Sequence, residues 1–257
     1  MNLEKCAKIA RVGDKILEKL AVIIAILIII FAGYSIYDNW RIANNSKLSE
    51  ELMQYKPDPR NTFSLAELKK KNKDTCAWIT VKKTNIDYPV VKGKDNLEYI
   101  NKDIFGEFSY SGTVFLDSQN SAKLDDPYMI LYGHNLSHGH MFGDVEKFTD
   151  IKYLKNHQKG YLYGDGYRRN IKFFACATIN SGDTVIYNIP YWKTGDRTEL
   201  IAYIKTIAKS YISNVIKPGD EIVVLSTCIQ SRSNGRTVLF GRLSKEKEKI
   251  EKKHDLK

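Results

Sequence analysis

The sequence predicts a mainly antiparallel β-barrel with inserted helices, set behind a single N-terminal transmembrane helix. Three observations predict it. No residue between Leu20 and Tyr37 is charged. From Cys76 onward the chain turns to short apolar runs rich in β-branched and aromatic residues, punctuated by Gly, Asn and Asp. Few segments between those runs have helical spacing, and many short strands with few helices suit a barrel.

The apolar run comes first. Its eighteen residues span roughly 27 Å as a helix, enough to cross a hydrocarbon core. Lys5, Lys8, Arg11, Lys15 and Lys19 precede it, so the positive-inside rule leaves the first residues cytoplasmic and sends the rest outside. The rival reading is a cleaved signal peptide, but the nearest small pair, Ala32-Gly33, lies inside the run. The run is therefore read as an uncleaved signal anchor. Next, Leu48, Leu52, Met53 and Tyr55 have near-helical spacing, and Asp58-Pro interrupts it. A second short helix fits 64–71, with Ser64 as N-cap and Glu67 three residues on. Strands are expected at 77–81, 88–92, 113–116, 128–132, 160–163, 170–178, 184–187, 221–227 and 237–243. Helices are expected at 96–101, 141–148 and 198–214, the last with Leu200, Ile201, Ile204, Ile207 and Tyr211 on one face. The organisation is then a cytoplasmic tail at 1–19, an anchor at 20–37, a helical stalk or lead-in at 38–74, a barrel at 75–244 and a frayed polar tail at 245–257.

Composition narrows the function. With 257 residues, 43% of them apolar, and a formal charge of +10, the chain is neither disordered nor fibrous. Four cysteines are too few for a disulfide-stapled miniprotein. The positive charge suits anionic lipid headgroups or cell-wall polymers. An external location and the lack of RNP or zinc-finger motifs argue against nucleic acid.

Three cysteines lie outside the membrane in this topology. Cys76 and Cys176 sit in or beside apolar strands, as buried inert thiols or as a disulfide pair. Cys228 instead ends the strand EIVVLSTC and precedes the polar loop IQSRSNG, which brings its sulfur to a rim. If the flanking strands pair symmetrically about Arg232, positions whose numbers sum to about 464 oppose each other. Cys228 then faces Arg236, and a guanidinium beside a thiol can stabilise a thiolate or an oxyanion. A thiol also needs a proton acceptor. His134 directly follows the run PYMILYG, at another strand end, whereas His138 and His140 belong to a Gly-rich loop and His157 and His254 to polar segments. His134, His138 and His140 as zinc ligands is the rival reading, which their spacing does not favour. No metal and no cofactor are expected.

Together these motifs resemble the sortase family, and class B in particular. VVLSTC followed by GRTVLFGRL resembles the signature around the sortase Cys and Arg, and YGHN resembles the segment of its catalytic His. IDYPVVKGKDNLEYINKDIFGEFSYSGTVFLD resembles the early class B barrel. The resemblance covers roughly residues 75 to 243 and implies a sortase-type barrel.

It also implies roles. Cys228 is the nucleophile, His134 the general acid/base and Arg236 the stabiliser of the oxyanion. Ser226, Asn96 and Ile100 line the peptide pocket, and Tyr132 backs the histidine. The implied substrates are secreted proteins with a C-terminal sorting signal, Asn-Pro-x-Thr-like, joined through a Cys thioester to a peptidoglycan amine. The sequence departs from the pattern in two places. Ile229 stands where some class B relatives have an acidic residue, and the loop near 181–187 matches poorly. Alternatives are a pilus-polymerising sortase, an inactive sortase-like envelope-binding module, and a cysteine protease in which water resolves the thioester.

Overall fold

A computed structural model describes residues 3–45, 50–58, 64–229 and 232–250. The chain divides into two units, Met1–Asn44 and Asn45–Lys257. The first is carried by helix α1 (Leu3–Asn45), of which Arg11–Tyr37 is long and apolar enough to cross a membrane, with its apolar window wholly unburied.

In the second unit, α2 (Glu50–Met53) and α3 (Leu65–Lys71) lead into the sheet. The expected capping box closes α3. The Glu67 amide donates to Ser64 Oγ, and the Ser64 amide donates to the Glu67 carboxylate at 2.6 Å. Leu52, Tyr55, Leu65 and Leu68 are buried against Trp78, Val91, Tyr99 and Phe115, so these residues pack as a wall of the domain.

The strands are β1 (Thr75–Val81), β2 (Asp87–Val91), β3 (Val114–Leu116), β4 (Tyr128–Tyr132), β5 (Lys159–Gly164), β6 (Tyr167–Asn180), β7 (Ala208–Tyr211), β8 (Glu221–Ile229), β9 (Arg232–Leu243) and β10 (Glu248–Lys249). Eight close a barrel in the order β1-β2-β3-β4-β8-β9-β6-β5, and β7 and β10 add to β6. Six of the eight barrel pairings are antiparallel; β2–β3 and β4–β8 are parallel. The long apolar runs follow from burial on both faces. Met129, Leu131, Val223, Leu225 and Leu239 point into a cluster with Phe142, Phe148 and Phe173. Their alternate neighbours Tyr128, Ile130, Ile222, Val224, Val238 and Phe240 pack under Trp192, Leu200 and Ile204. Those last three belong to α5 (Ile189–Thr194) and α6 (Thr198–Ile207).

Several elements differ from expectation. The helix expected over 198–214 ends at Ile207, and the next residues form β7 against Ala175 and Cys176 of β6. Ser210 fixes the switch by donating from Oγ to the Phe148 carbonyl at 2.6 Å in a buried position. Residues 184–187 are a turn held by the Asp183 carboxylate, not a strand. Residues 96–101 are also turns, because Asp95 Oδ1 accepts from both the Leu97 and Glu98 amides. The segment expected at 141–148 is a 3₁₀ helix over Gly143–Thr149, and α4 (Ile151–Asn156), capped by Asp150, follows it. The polar tail is not frayed throughout: β10 pairs with β6, and Arg168 Nε donates to Glu248 at 2.8 Å. Residues 46–49, 59–63 and 251–257 lie outside the described residues.

Candidate active site

Three strand ends converge on one cleft. In the β8–β9 hairpin Cys228 opposes Arg236 and Ser226 opposes Val238, the register that the loop symmetry predicts. The register shifts only beyond that pair, where Ile229 opposes Arg232. On the other side of β8, the parallel β4 aligns Tyr132 with Ser226. The Gly133 amide continues that ladder by donating to the Ser226 carbonyl at 3.2 Å. β4 ends at Tyr132, and His134, two residues on, lines the same cleft as Cys228. Asn135 ties the two ends together, its Nδ2 donating to the Cys228 carbonyl at 2.9 Å. Gly133 is required between Tyr132 and His134, since a Cβ there would lie 2.8 Å from the Phe142 ring.

A cleft of about 300 Å³ opens over this junction, and Cys228, His134 and Arg236 line it. Cys228 is exposed and His134 and Arg236 are half-buried. The imidazole is oriented from behind: its Nε2 lies 2.8 Å from the Ile100 carbonyl. A carbonyl only accepts, so Nε2 carries the proton and Nδ1 is left as the nitrogen that can take or give one. Arg236 is tethered at one corner by Nη1 donating to the Gly235 carbonyl at 3.0 Å.

The residues expected to line the peptide pocket, Asn96, Ile100 and Ser226, line the same cleft, and so does Tyr132, the residue expected to back the histidine. Sequence reasoning missed the residue that holds two of them. Asp117, 2% exposed, accepts at Oδ2 from Asn96 Nδ2 at 2.9 Å and from the Tyr132 hydroxyl at 2.8 Å. Burial, and then the Asp117 carboxylate, push the Tyr132 hydroxyl far above its ordinary pKa, so it stays a donor. Tyr187 was missed too. Its hydroxyl lies 3.0 Å from Ser226 Oγ, and its ring stacks on Tyr132 with centroids 6.3 Å apart. The signal that could have found it was the aromatic in the segment that the reading made a strand. Among the described residues lining the cleft, none is a carboxylate.

The other thiols are separate from this site. Cys76 and Cys176 are buried and free, and do not pair. Burial pushes the Cys76 thiol up to about 12 and Cys176 higher still, so both stay protonated and unreactive. His138 is exposed on a 3₁₀ turn over Ser137–Gly139. No group of three or more His, Cys, Asp or Glu among the described residues is arranged to hold a metal.

The family model of the Sortase domain matches residues 79–244. Sortase B of Listeria monocytogenes is 30% identical over 236 residues, covering 84% of this chain and 95% of that protein. Among solved structures, a Streptococcus pyogenes class B sortase involved in pilus biogenesis is 33% identical with a TM-score of 0.65, covering 70% of this chain and 97% of that one. Sortase B of Clostridium perfringens is 28% identical with a TM-score of 0.65, covering 70% of this chain and 100% of that one.

Proposed function

The chain belongs to the sortase family, class B, a family of cysteine transpeptidases, and we propose that it joins secreted proteins to the cell wall from a membrane anchor. In this reading Cys228 is the nucleophile, His134 the general acid/base and Arg236 the oxyanion stabiliser. The observation that supports it is the meeting of three groups in one cleft: the β8–β9 register sets Cys228 opposite Arg236, and His134, just past the end of β4, lines the same cleft.

The chemistry follows from those groups. The Cys228 thiolate attacks the carbonyl carbon of a Thr in an Asn-Pro-x-Thr-like sorting signal. The carbonyl electron pair moves to oxygen, and the Arg236 N–H groups stabilise that oxyanion. When the tetrahedral intermediate collapses, the C–N bond breaks and the imidazolium of His134 gives its Nδ1 proton to the leaving amine. A thioester remains on Cys228. A peptidoglycan amine then attacks it, His134 takes up the amine's proton, and the thiolate leaves as the new amide forms. Asn96, Ile100, Tyr132 and Ser226 hold the signal in register with the sulfur. The anchor is α1, with the N-terminus cytoplasmic and the barrel outside, next to substrates that emerge at the membrane.

A pilus-polymerising role is the second reading, favoured by the likeness to a class B sortase involved in pilus biogenesis. There the acceptor is a pilin lysine. The test is incubation of the protein with a fluorogenic Asn-Pro-x-Thr-type peptide and competing amines. The expected result is a Cys228-linked acyl intermediate that is resolved by a peptidoglycan-type amine, and loss of both acylation and turnover in Cys228→Ala with the fold kept. Resolution by a pilin lysine in preference to the wall amine would move the reading to pilus assembly. Turnover that persists in Cys228→Ala would remove the mechanism.

A further inference from the structure

A second groove lies away from the catalytic cleft. It has a volume of about 660 Å³ and is lined by Lys82, Lys83, Lys155, Lys159, Lys172 and Arg242. Three of these form a row across three adjacent strands: Lys159 of β5 opposes Lys172 of β6, which opposes Arg242 of β9. Directly opposed residues share a face, and like charges placed so are destabilising. The β1–β2 turn adds Lys82 and Lys83, and α4 adds Lys155. No carboxylate lines the groove, and among the described residues none of the six cations is ion-paired. Glu248 bonds Asn170, a residue of the groove's lining, and is paired with Arg168. Folding gains nothing from stacking three unpaired cations on neighbouring strands, so an external anion is the natural counterpart.

We infer that this groove binds a linear polyanion bearing phosphate groups in series. The serial spacing follows from the cations, which sit one strand apart at about 4.8 Å per step. The groove's shape selects a chain over a bilayer. A bilayer meets flat or convex surfaces and is gripped by exposed apolar side chains, whereas this site is concave and none of its lining residues is an exposed large hydrophobe. Tyr161 lies in the lining with the Lys82 ammonium 5.4 Å above its ring, which fixes part of the cationic wall. The groove shares no lining residue with the catalytic cleft, so the inference stands apart from the proposed reaction.

The test uses the full chain in neutral-detergent micelles and fluorescently labelled poly(glycerol phosphate), read by anisotropy. Binding should weaken steeply with salt, as counterion release requires. Lys159→Gln with Lys172→Gln should weaken it roughly tenfold, and turnover of a small sorting peptide should stay unchanged. Lys123→Gln with Lys205→Gln removes the same charge from exposed sites elsewhere and should change affinity by less than about twofold. Lys83→Gln with Lys155→Gln, outside the strands, should repeat the groove effect without touching the sheet. Equal losses in the groove and control pairs would mean diffuse attraction and would overturn the inference. So would equal displacement by inorganic phosphate at matched phosphate concentration. In nanodiscs, groove variants that lose affinity for phosphatidylglycerol bilayers while keeping the polymer would make the membrane the occupant instead.

Discussion

At the scale of single residues, the proposed mechanism divides the labour of the site between groups that react and groups that hold them. Arg236 is the most exposed assignment, because Arg232 is a second cation in the same hairpin. A guanidinium that meets an oxyanion contributes only as charge develops, so its removal should slow acylation more than it weakens peptide binding. Arg236→Ala should cost on the order of 10² to 10³ in single-turnover acylation. Arg236→Lys should not rescue it, since a point charge lacks the planar fork. Arg232→Ala should do little, and if it is the crippled variant the oxyanion role moves to that residue. The Cys228–Arg236 pairing was legible in the sequence, since a polar loop between two apolar runs has a centre and the centre sets a register. The β4–β8 pairing, beyond which His134 and Cys228 line one cleft, was not. It is a parallel pairing between strands far apart in the chain, and parallel partners leave no turn between them to read. Asp117 was equally hidden, because its function is visible only once Asn96 and Tyr132 are seen to meet on its carboxylate.

At the scale of elements, the turn over residues 95–101 is the part that the hydrophobic pattern misread and that the site most depends on. Its Ile100 carbonyl holds the imidazole. The turn is packed beneath by Gly112, whose φ of +58° suits glycine and whose added Cβ would sit 2.3 Å from that same carbonyl oxygen. Gly112→Ala should therefore push the Ile100 carbonyl off His134. A misplacement of that kind should cut turnover on the order of 10²-fold. Gly106 is the control: it too has a positive φ, +89°, but its Cβ would meet nothing within 4 Å. Gly106→Ala carries comparable backbone strain and should leave turnover nearly intact. If both variants turn over normally, the carbonyl does not orient the histidine. The turn was misread because Leu97 and Ile100 have helical spacing, while Asp95 captures the amides that a helix would need. β7 was lost for a related reason: Ile207, Tyr211 and Ile212 suit a helix face and a strand equally, and the open edge of β6 decided between them.

At the scale of the whole molecule, the lead-in and the turn over residues 95–101 form one structure. Asn72, the C-cap of α3, donates from Nδ2 to the Ile104 carbonyl at 2.7 Å and to the Tyr99 hydroxyl at 3.0 Å. Tyr99 donates in turn to Asp74 at 2.8 Å, in the turn that carries Asn96 and Ile100. A chain beginning at residue 38 should thus fold and turn over peptide, whereas one beginning at residue 75 should lose cooperative melting and turnover together, because Trp78, Tyr99 and Phe115 lose the cover of Leu52, Tyr55, Leu65 and Leu68. Burial in this wall and in the barrel core beside it sets an alkaline limit. Burial pushes Cys76, Tyr99 and Tyr163 up to about 12, from ordinary values of 9.0 for the thiol and 10.0 for the phenols. Between those limits the folded chain keeps protons that the unfolded chain has released. The unfolded state then binds fewer protons, and stability falls as pH rises. Below about pH 8 all three groups are protonated in both states and contribute almost no slope. The urea midpoint should hold steady from about pH 7 to 8.5 and drop progressively from about pH 9.5 to 11.5. Tyr163→Phe removes one of the titrating groups while keeping the ring in its cluster, so it should flatten part of that decline. A midpoint that stays level to about pH 11 would mean that these three groups are open to solvent, and that the packing around them is looser than their burial indicates.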